Sequence, residues 1–490
     1  MTDMSMTDHG ARLRWHCLAL IVGWGLFALP VQADEPELKA LILELKSHVK
    51  QLTDRVSILE QALEQERSKR EKAEAEMARV TSRPAEVDQT EGGRVVTGGS
   101  DQTGVPEAGV PAVEQPVVMG DAKGTFKFPG TDTSLGFGGY VKLDAIYNSA
   151  SARSDRFTDQ LYFPGLVPLK GEGQRNKLAF SPRETRLWFK SLTPTRWGDL
   201  NTYVELDFYA FQSPGNQVVS NSYAPRMRHA FGTLGPFLAG QTWSTFMHVG
   251  ALPELLDFGA PAGRVFIRQP LLRWTQPLAL GDMEADIQLA LEQPESVLTA
   301  PDGETLEMDN DRVPDTVVRL NLNPSWGALS LAGMMRQIRY SDHSASSQAW
   351  GGAFSISGKV RTFGFDHFSF QASYGNALGR YTSFSAFNDG LVDAQGSLRL
   401  VNVFAGFAAY QHWWSPTWRS SVAYGYAFAD NPALAPDTAN DWVQSAHVNL
   451  LWSPFIQTTF GLEYMYATRR VFNGAQGNLQ RVMFSSRLNF

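Results

Sequence analysis

The 490-residue sequence contains little cysteine, little charge and, beyond its first 33 residues, no long apolar run. Its one cysteine, Cys17, lies within an early apolar run, so the rest of the chain has no thiol and forms no disulfide. No later segment offers about 18 consecutive apolar residues, so we expect no transmembrane helix. Charged residues make up 19% of the chain and the net charge is -7, which argues against a nucleic-acid partner.

Residues 1–33 have the pattern of a secretory signal peptide. Arg12 and Arg14 precede the apolar run 17–29, and the small-residue exit Val31-Gln32-Ala33 follows it. A run of this length is too short to cross a bilayer. We therefore expect export of the chain, and a buried helix or an uncleaved anchor is the alternative.

Residues 34–83 carry a heptad repeat. Leu38, Leu45, Leu52 and Leu59 recur every seven residues, and a second apolar row follows four residues behind. This pattern predicts a coiled coil, with an isolated amphipathic helix as the alternative, and its core residues favour a dimer. Residues 84–123 are rich in Gly and Pro without periodicity, which predicts a flexible linker.

Residues 124–490 alternate apolar and polar side chains. In the segment 200–208, Leu200, Val204 and Phe208 fall on one face, and Tyr203 and Glu205 fall on the other. Such segments are joined by connections that alternate between short turns and long stretches, which is typical of outer-membrane barrels. Counting them predicts an all-β transmembrane barrel of about 16 antiparallel strands, preceded by the α-helical coiled coil.

The sequence ends on "RVMFSSRLNF", in which Val482, Phe484, Leu488 and Phe490 share one face. We expect this strand to pair with the first strand, because a barrel in hydrocarbon can leave no open edge. Its terminal Phe490 resembles the signal that the outer-membrane assembly machinery reads. An even strand number places both barrel ends on the rim with short turns, with the coiled coil in the periplasm. Five tryptophans beside short turns fit an aromatic girdle facing lipid: Trp197, Trp326, Trp414, Trp418 and Trp452.

A barrel of this size leaves an aqueous lumen, so its function depends on the lining. Alternation directs a surplus of arginines inward, where they either attract small anions or pair with acids such as Glu205 and Asp207 in the wall. On this pattern Met227, His229 and Phe231 face away from the lumen, and a bulge at Pro270 explains the parity of one arginine. The candidate pore-lining residues are Arg186, Arg226, Arg228, Arg264, Arg268, Arg273 and Arg319.

The segment 244–263 is longer and more apolar than a surface loop requires. Folded into the lumen, it would form a constriction, and packing against a neighbouring subunit is the alternative. The constriction residues expected on it are Leu252, Glu254, Asp257 and Phe258.

Motifs for chemistry are weak. The histidines fall in separate strands or turns without a matching serine, and no Gly-rich phosphate loop occurs, so we expect neither an enzyme nor a cofactor. The acidic stretch 302–315 could hold a divalent ion through Asp309, Asp311 and Asp315, but it lacks the spacing of a calcium loop, and solvated acids are the favoured interpretation.

Four stretches, "GYVKLDAIYN", "TPTRWGDLNTYVELDF", "RMRHAFGTLGPFLAGQTWSTF" and "ALPELLDFGAPAGRVFIRQPLLRW", resemble the DcaP-like porins of Gram-negative outer membranes. The resemblance implies a homotrimeric porin with periplasmic coiled coils that passes small organic anions such as dicarboxylates. The trimer stands against the dimer that the heptads favour. A structural alternative is an envelope tether whose coiled coil reaches into the periplasm and whose permeability is incidental.

Overall fold

The structure is a computed structural model that describes residues 118–151, 157–210, 221–308, 310–341 and 346–490. The predicted signal peptide, the coiled coil and most of the linker lie outside these residues.

Sixteen antiparallel strands form the wall of a closed barrel, as the strand count predicted. The second strand is interrupted by Pro182 and therefore has two segments. The strands are β1 Ser134–Ser151, β2 Gln174–Ser181 with Arg186–Thr195, β3 Gly198–Asp207, β4 Arg226–Leu234, β5 Phe237–Trp243, β6 Arg268–Leu280, β7 Met283–Glu292, β8 Asp315–Asn323, β9 Gly327–Ser341, β10 Ser346–Arg361, β11 His367–Gly375, β12 Asn402–Trp413, β13 Trp418–Asp430, β14 Asn440–Phe455, β15 Thr458–Val471 and β16 Gln476–Asn489.

Each strand pairs with its neighbours in sequence, and β16 closes the ring on β1. The closing register runs from Tyr140 opposite Asn489 to Asn148 opposite Arg481. Beyond it, the backbone of Phe490 exchanges two hydrogen bonds with Gly139, of 3.1 and 3.2 Å. The terminal strand is therefore fully paired, as a membrane barrel requires.

The alternation of β16 separates a lipid face from a lumen face. Phe484 and Leu488 are 48% and 49% exposed, whereas Arg481 and Met483 are only 1% and 2% exposed. The same separation holds in β15, where Leu462 points outward and Glu463 inward. Apolar side chains thus meet hydrocarbon, and the polar set is directed into the barrel.

The short connections lie on one rim and carry the predicted tryptophans. Trp197 and Trp414 are 68% and 65% exposed beside their turns, and Trp418 stacks on Trp452 with ring centroids 5.6 Å apart. Outer-membrane barrels place short turns in the periplasm, so this rim is the periplasmic one.

The long connections on the opposite rim contain what little other regular structure the described residues have. Helical turns occur at Phe157–Gln160, Pro164–Leu166, Val249–Ala251 and Gly379–Tyr381. In the described ranges no helix has the length and apolar character needed to cross a membrane. A separate four-stranded sheet combines the connection after β7 with the one after β11, through Thr305–Met308, Ser296–Thr299, Gly390–Val392 and Leu398–Leu400.

Several long connections fold inward and share a buried apolar cluster. Tyr162, Phe246 and Tyr381, from three different connections, lie in this cluster together with wall residues such as Val403 and Ala427. The extracellular half of the lumen is therefore partly filled by the protein's own loops.

The lipid face yields a stability prediction. Leu462 lies opposite Phe484 in the middle of the β15–β16 pair and is 53% exposed to the membrane. Leu462→Arg should lower the free energy of unfolding in phospholipid vesicles by about 2–4 kcal/mol, because a cation in mid-bilayer is poorly solvated. Gln476→Arg, on the first residue of β16, is the matched control and should cost about 0–1 kcal/mol near the interface. Equal losses in guanidinium titrations of the two variants would place Leu462 outside the hydrocarbon.

Candidate functional site in the barrel lumen

The segment 244–267, here called the lumen loop, connects β5 to β6 and crosses the inside of the barrel. The Leu256 amide donates to Glu463 on β15 at 2.7 Å, and the Ala262 amide donates to the Ser445 hydroxyl on β14 at 2.9 Å. Both acceptors belong to inward side chains about half a ring of strands away from β5. The lumen loop therefore reaches the opposite wall.

Close backbone contact at that wall requires glycine. A Cβ on Gly425 of β13 would lie 1.9 Å from the carbonyl oxygen of Ala262. Gly263 of the loop has φ +77°, and a Cβ there would lie 2.3 Å from the carbonyl oxygens of Gly406 and Tyr426. The loop and the wall thus touch through main-chain atoms, which only glycine permits.

Two ion pairs hold the acids of the lumen loop. Glu254 accepts from Arg419 of β13 through both carboxylate oxygens, at 2.6 and 2.5 Å. Asp257 pairs with Arg481 of β16, which is 1% exposed. Burial by itself would raise the pKa of Asp257, but Arg481 and two backbone amides outweigh it and lower the pKa, so the carboxylate stays ionised. Removing one partner of such a buried pair typically costs about 3–5 kcal/mol.

Arg273 and Arg319 hold the beginning of the lumen loop through neutral acceptors. Arg273 donates to the Thr245 hydroxyl at 2.9 Å and to the Trp243 carbonyl at 2.8 Å. Arg319 donates to the carbonyls of Thr245 and Met247, at 3.2 and 2.8 Å. These two candidate pore-lining arginines therefore act on the loop backbone.

The other five candidate arginines converge on the aromatic side of the lumen loop, and we call them the guanidinium cluster: Arg186, Arg226, Arg228, Arg264 and Arg268. Four of them place their guanidinium carbon between 5.2 and 5.9 Å from the centre of the Phe258 ring. The fifth, Arg268, lies 4.6 Å from the ring centre of Trp243. A cavity of about 290 Å³ borders the cluster, with Phe258, Leu252 and Asp257 of the loop in its lining.

Three members of the cluster pair with acids of the wall. Arg226 binds both oxygens of Asp207, at 2.9 and 2.6 Å. Arg228 bridges Glu205 and Asp207 at 2.5 and 3.0 Å. Arg186 lies 3.9 Å from Glu205 and from Glu184, a longer separation at which no direct hydrogen bond forms.

Arg264 and Arg268 have no carboxylate in hydrogen-bond or ion-pair contact among the described residues. Arg264 donates to the Phe258 carbonyl, and its Nε is buried without a hydrogen-bond partner, as is Nη1 of Arg268. Burial lowers the pKa of the Arg264 guanidinium, because the more distant Asp257 and Glu184 offset only part of the lost hydration. These two arginines leave positive charge uncompensated at the aromatic side of the loop.

The structure corrects two details of the expected alternation. A bulge lies between β3 and β4, where the register shifts after Glu205, and it turns His229 inward together with Arg228. Phe231 then faces the lumen as well, with its ring 5.7 Å from Tyr203, so only Met227 of the three keeps its outward direction. At Pro270 the pairing of β5 with β6 runs without a shift, so the expected bulge is absent there.

Sequence reasoning missed the arginines of the far wall. Arg419 and Arg481 stand on the inward parity of β13 and β16, which the apolar alternation of those strands already indicated. Their partners could not be identified, because nothing in the sequence shows that the lumen loop reaches these strands.

The acidic stretch 302–315 shows no arrangement suited to a metal ion in the part the structure describes. Asp315 belongs to β8 and pairs with Arg336 at 2.9 Å, and Asp311 accepts from the Ser296 hydroxyl at 2.7 Å. Asp309 lies outside the described residues. The Asp315 carboxylate is therefore committed to an internal ion pair.

One histidine does contact a serine and an acid, contrary to the expectation from sequence. His447 lies 2.9 Å from the Ser445 hydroxyl and 3.3 Å from Glu463. The group is closed to solvent, with Ser445 at 0% and His447 at 2% exposure, and it binds the amides of the lumen loop. Its contacts are those of a loop anchor.

Residues 124–490 match the family described as DcaP outer membrane protein. The chain belongs to that family. It is thus an outer-membrane protein with the barrel of a porin or channel.

Solved structures agree with this fold. The crystal structure of the outer membrane channel DcaP of Acinetobacter baumannii is similar with a TM-score of 0.64 and 22% identity, covering 76% of this chain and 100% of that one. The trimer form of OmpT from Vibrio cholerae has a TM-score of 0.46 and 9% identity, covering 73% and 99%. An anion-selective porin from Comamonas acidovorans has a TM-score of 0.44 and 10% identity, covering 73% and 100%. Curated protein sequences provide no match.

The contact between the lumen loop and β13 yields a second prediction. Gly425→Ala places a methyl group where the Ala262 carbonyl now lies, so the lumen loop must move away from that wall. We expect single-channel conductance in KCl to change and its open-state noise to increase. Gly333→Ala is the matched control, because a Cβ there meets nothing within 4 Å. Unchanged conductance and noise in the Gly425 variant would show that the loop position does not limit the current.

Proposed function

We propose that the protein is a porin for passive diffusion of small organic anions, with dicarboxylates and related acids as the solute class. The observation that carries this proposal is the pair Arg264 and Arg268, two guanidinium groups in the lumen without a bonded carboxylate. A guanidinium stays charged and offers a carboxylate two parallel hydrogen bonds, so such a pair attracts anions selectively.

The remaining charges of the cluster support the same direction. Five guanidinium groups face the carboxylates of Glu184, Glu205 and Asp207, and Glu184 is itself shared with Lys142 at 2.5 Å. Field lines in a narrow lumen are focused by the low-dielectric wall, so this local surplus of positive charge raises the concentration of anions beside the loop.

Transport also requires that the anion leave. The aromatic faces of Phe258, Phe266 and Trp243 already stabilise the uncompensated guanidinium groups, at about 0.5–2 kcal/mol for each contact. An arriving carboxylate competes with these contacts and gains only the difference in free energy. Weak binding of this kind suits a channel, which must release its solute.

The proposal includes the assembly expected from the sequence. We place a homotrimer of barrels in the outer membrane, surrounded by lipid, with the coiled coil of residues 34–83 in the periplasm. The strand ending in Phe490 is the segment proposed to meet the outer-membrane assembly machinery.

The proposal is tested by the reversal potential of the purified, refolded protein in a planar bilayer under a KCl gradient, repeated with succinate on one side. We expect anion preference, and transient block of the current by succinate. Cation preference, or no conductance, would reject an anion porin and favour the envelope tether.

Substitutions separate the roles of the arginines. Arg264→Gln and Arg268→Gln should each shift the reversal potential towards cation preference and weaken succinate block by about tenfold, the effect of about 1.4 kcal/mol. Arg273→Gln and Arg319→Gln should act chiefly on conductance and open-channel noise, because their side chains hold the loop backbone.

Arg470→Gln is the matched control for these variants. Arg470 faces outward over the Trp442 ring and pairs with Asp441, so the same charge is lost outside the lumen. Equal shifts in reversal potential for the Arg264 and Arg470 variants would show that selectivity does not arise at the guanidinium cluster.

A further inference from the structure

A second cavity, of about 400 Å³, lies between the long connections on the extracellular side, and we call it the outer cavity. Four connections contribute to its lining: those after β1, β7, β11 and β13. The cavity is distinct from the one beside the guanidinium cluster, since Phe258 and Arg264 line only the latter.

The chemistry of the outer cavity is apolar with one cationic group. Phe157, Phe163, Phe384 and Phe387 supply aromatic surface, and amides and hydroxyls make up most of its polar lining. Arg469 is the sole charged residue among the described residues that line it. A solute held there would be expected to combine an apolar body with a single negative charge.

Arg469 is held in place by neutral groups. Its Nε donates to the Asn440 side-chain oxygen at 2.5 Å, and its Nη1 donates to the Val167 carbonyl at 3.2 Å. These two hydrogen bonds orient the guanidinium without cancelling its charge. A preoriented guanidinium loses less conformational entropy when it binds a carboxylate, which makes it an effective anchor.

Phe384 separates the outer cavity from the guanidinium cluster. Its ring centre lies 5.4 Å from that of Phe163 and 4.6 Å from that of Phe266, and the Arg264 guanidinium lies 5.2 Å away. Phe384 thus contacts the outer cavity on one side and an uncompensated arginine of the cluster on the other.

The backbone at this point is unusual. Ser383, Phe384 and Ser385 have φ of 53°, 57° and 57°, the left-handed region that non-glycine residues rarely adopt. The surrounding contacts must impose this conformation. One of them is the hydrogen bond from the Gly263 amide of the lumen loop to the Ser383 hydroxyl, at 2.7 Å.

We propose that the outer cavity is a second solute-binding site, in series with the guanidinium cluster, for a carboxylate that carries an apolar body. Arg469 binds the carboxylate, the phenylalanines bind the apolar body, and Phe384 is the partition that the solute passes to reach Arg264. The proposal rests on the proposed function, because a site in series presupposes diffusion of anions through the lumen.

The test compares two probes of equal charge, hexanoate and acetate, as blockers of KCl current through the full-length protein in a planar bilayer. Each probe is added on one side and then on the other. We expect hexanoate to block at lower concentration than acetate, and to do so more strongly from the extracellular side, since the outer cavity opens there. Equal block by hexanoate and acetate would overturn the outer site.

Two variants examine the site from independent directions. Arg469→Gln should raise the half-blocking concentration of hexanoate by about fivefold, the effect of roughly 1 kcal/mol from a partly solvated ion pair. Ala439→Phe fills the outer cavity from its rim and should abolish the difference between hexanoate and acetate. Arg470→Gln, the adjacent outward-facing arginine, should leave block by hexanoate at the wild-type concentration.

Folding and function are checked in the same records. A variant whose conductance in plain KCl equals that of the wild type is folded, so a loss of hexanoate block in it reports on the site. Anion selectivity with no preference for hexanoate would reject the outer cavity alone. Absence of anion selectivity in the wild-type protein would reject the proposed function itself.

The partition has its own readout. Phe384→Ala should reduce the difference between hexanoate block from the two sides, because a solute arriving from the periplasm no longer meets the ring. An unchanged difference would remove Phe384 from the path between the two sites.

Discussion

The structure depends on one constraint: within hydrocarbon every backbone N–H and C=O must find a partner in the protein. The pairing of β16 with β1, extended by the hydrogen bonds between Phe490 and Gly139, satisfies it by removing the sheet edges. Closure with sixteen strands then sets a lumen too wide to be filled by wall side chains alone. The protein narrows it with its own long connections.

A polypeptide loop inside a barrel brings polar backbone that must also be satisfied. The lumen loop finds acceptors on the far wall in Glu463 and Ser445, and it approaches the main chain of that wall where glycines leave room. Its two acids are neutralised there by Arg419 and Arg481. Since these contacts use up the carboxylates of the loop, none of them is bonded to Arg264 or Arg268 on the other side.

The arginines of the lumen therefore divide by what they touch. Those beside Glu205 and Asp207 stabilise the wall, and Arg273 and Arg319 hold loop carbonyls. Arg264 and Arg268 keep their charge against aromatic faces. Desolvating an unpaired guanidinium is costly, and the cation–π contacts reduce that cost without supplying a counter-ion. The charge that the proposed function needs is thus retained where the loop narrows the lumen.

The sequence by itself determined the barrel, its sixteen strands, the outward apolar face, the terminal strand and the tryptophan rim, because alternation with period two is a local property of each strand. It also selected the seven arginines and the segment 244–263. It could not separate the roles of those arginines, and it misplaced His229 and Phe231, because a bulge depends on the partner strand. Only the tertiary structure decided that Glu254 and Asp257 meet arginines of β13 and β16, and that the loop after β11 brings Phe384 to Arg264. Such contacts join residues more than a hundred positions apart, and no local pattern records which loop meets which wall.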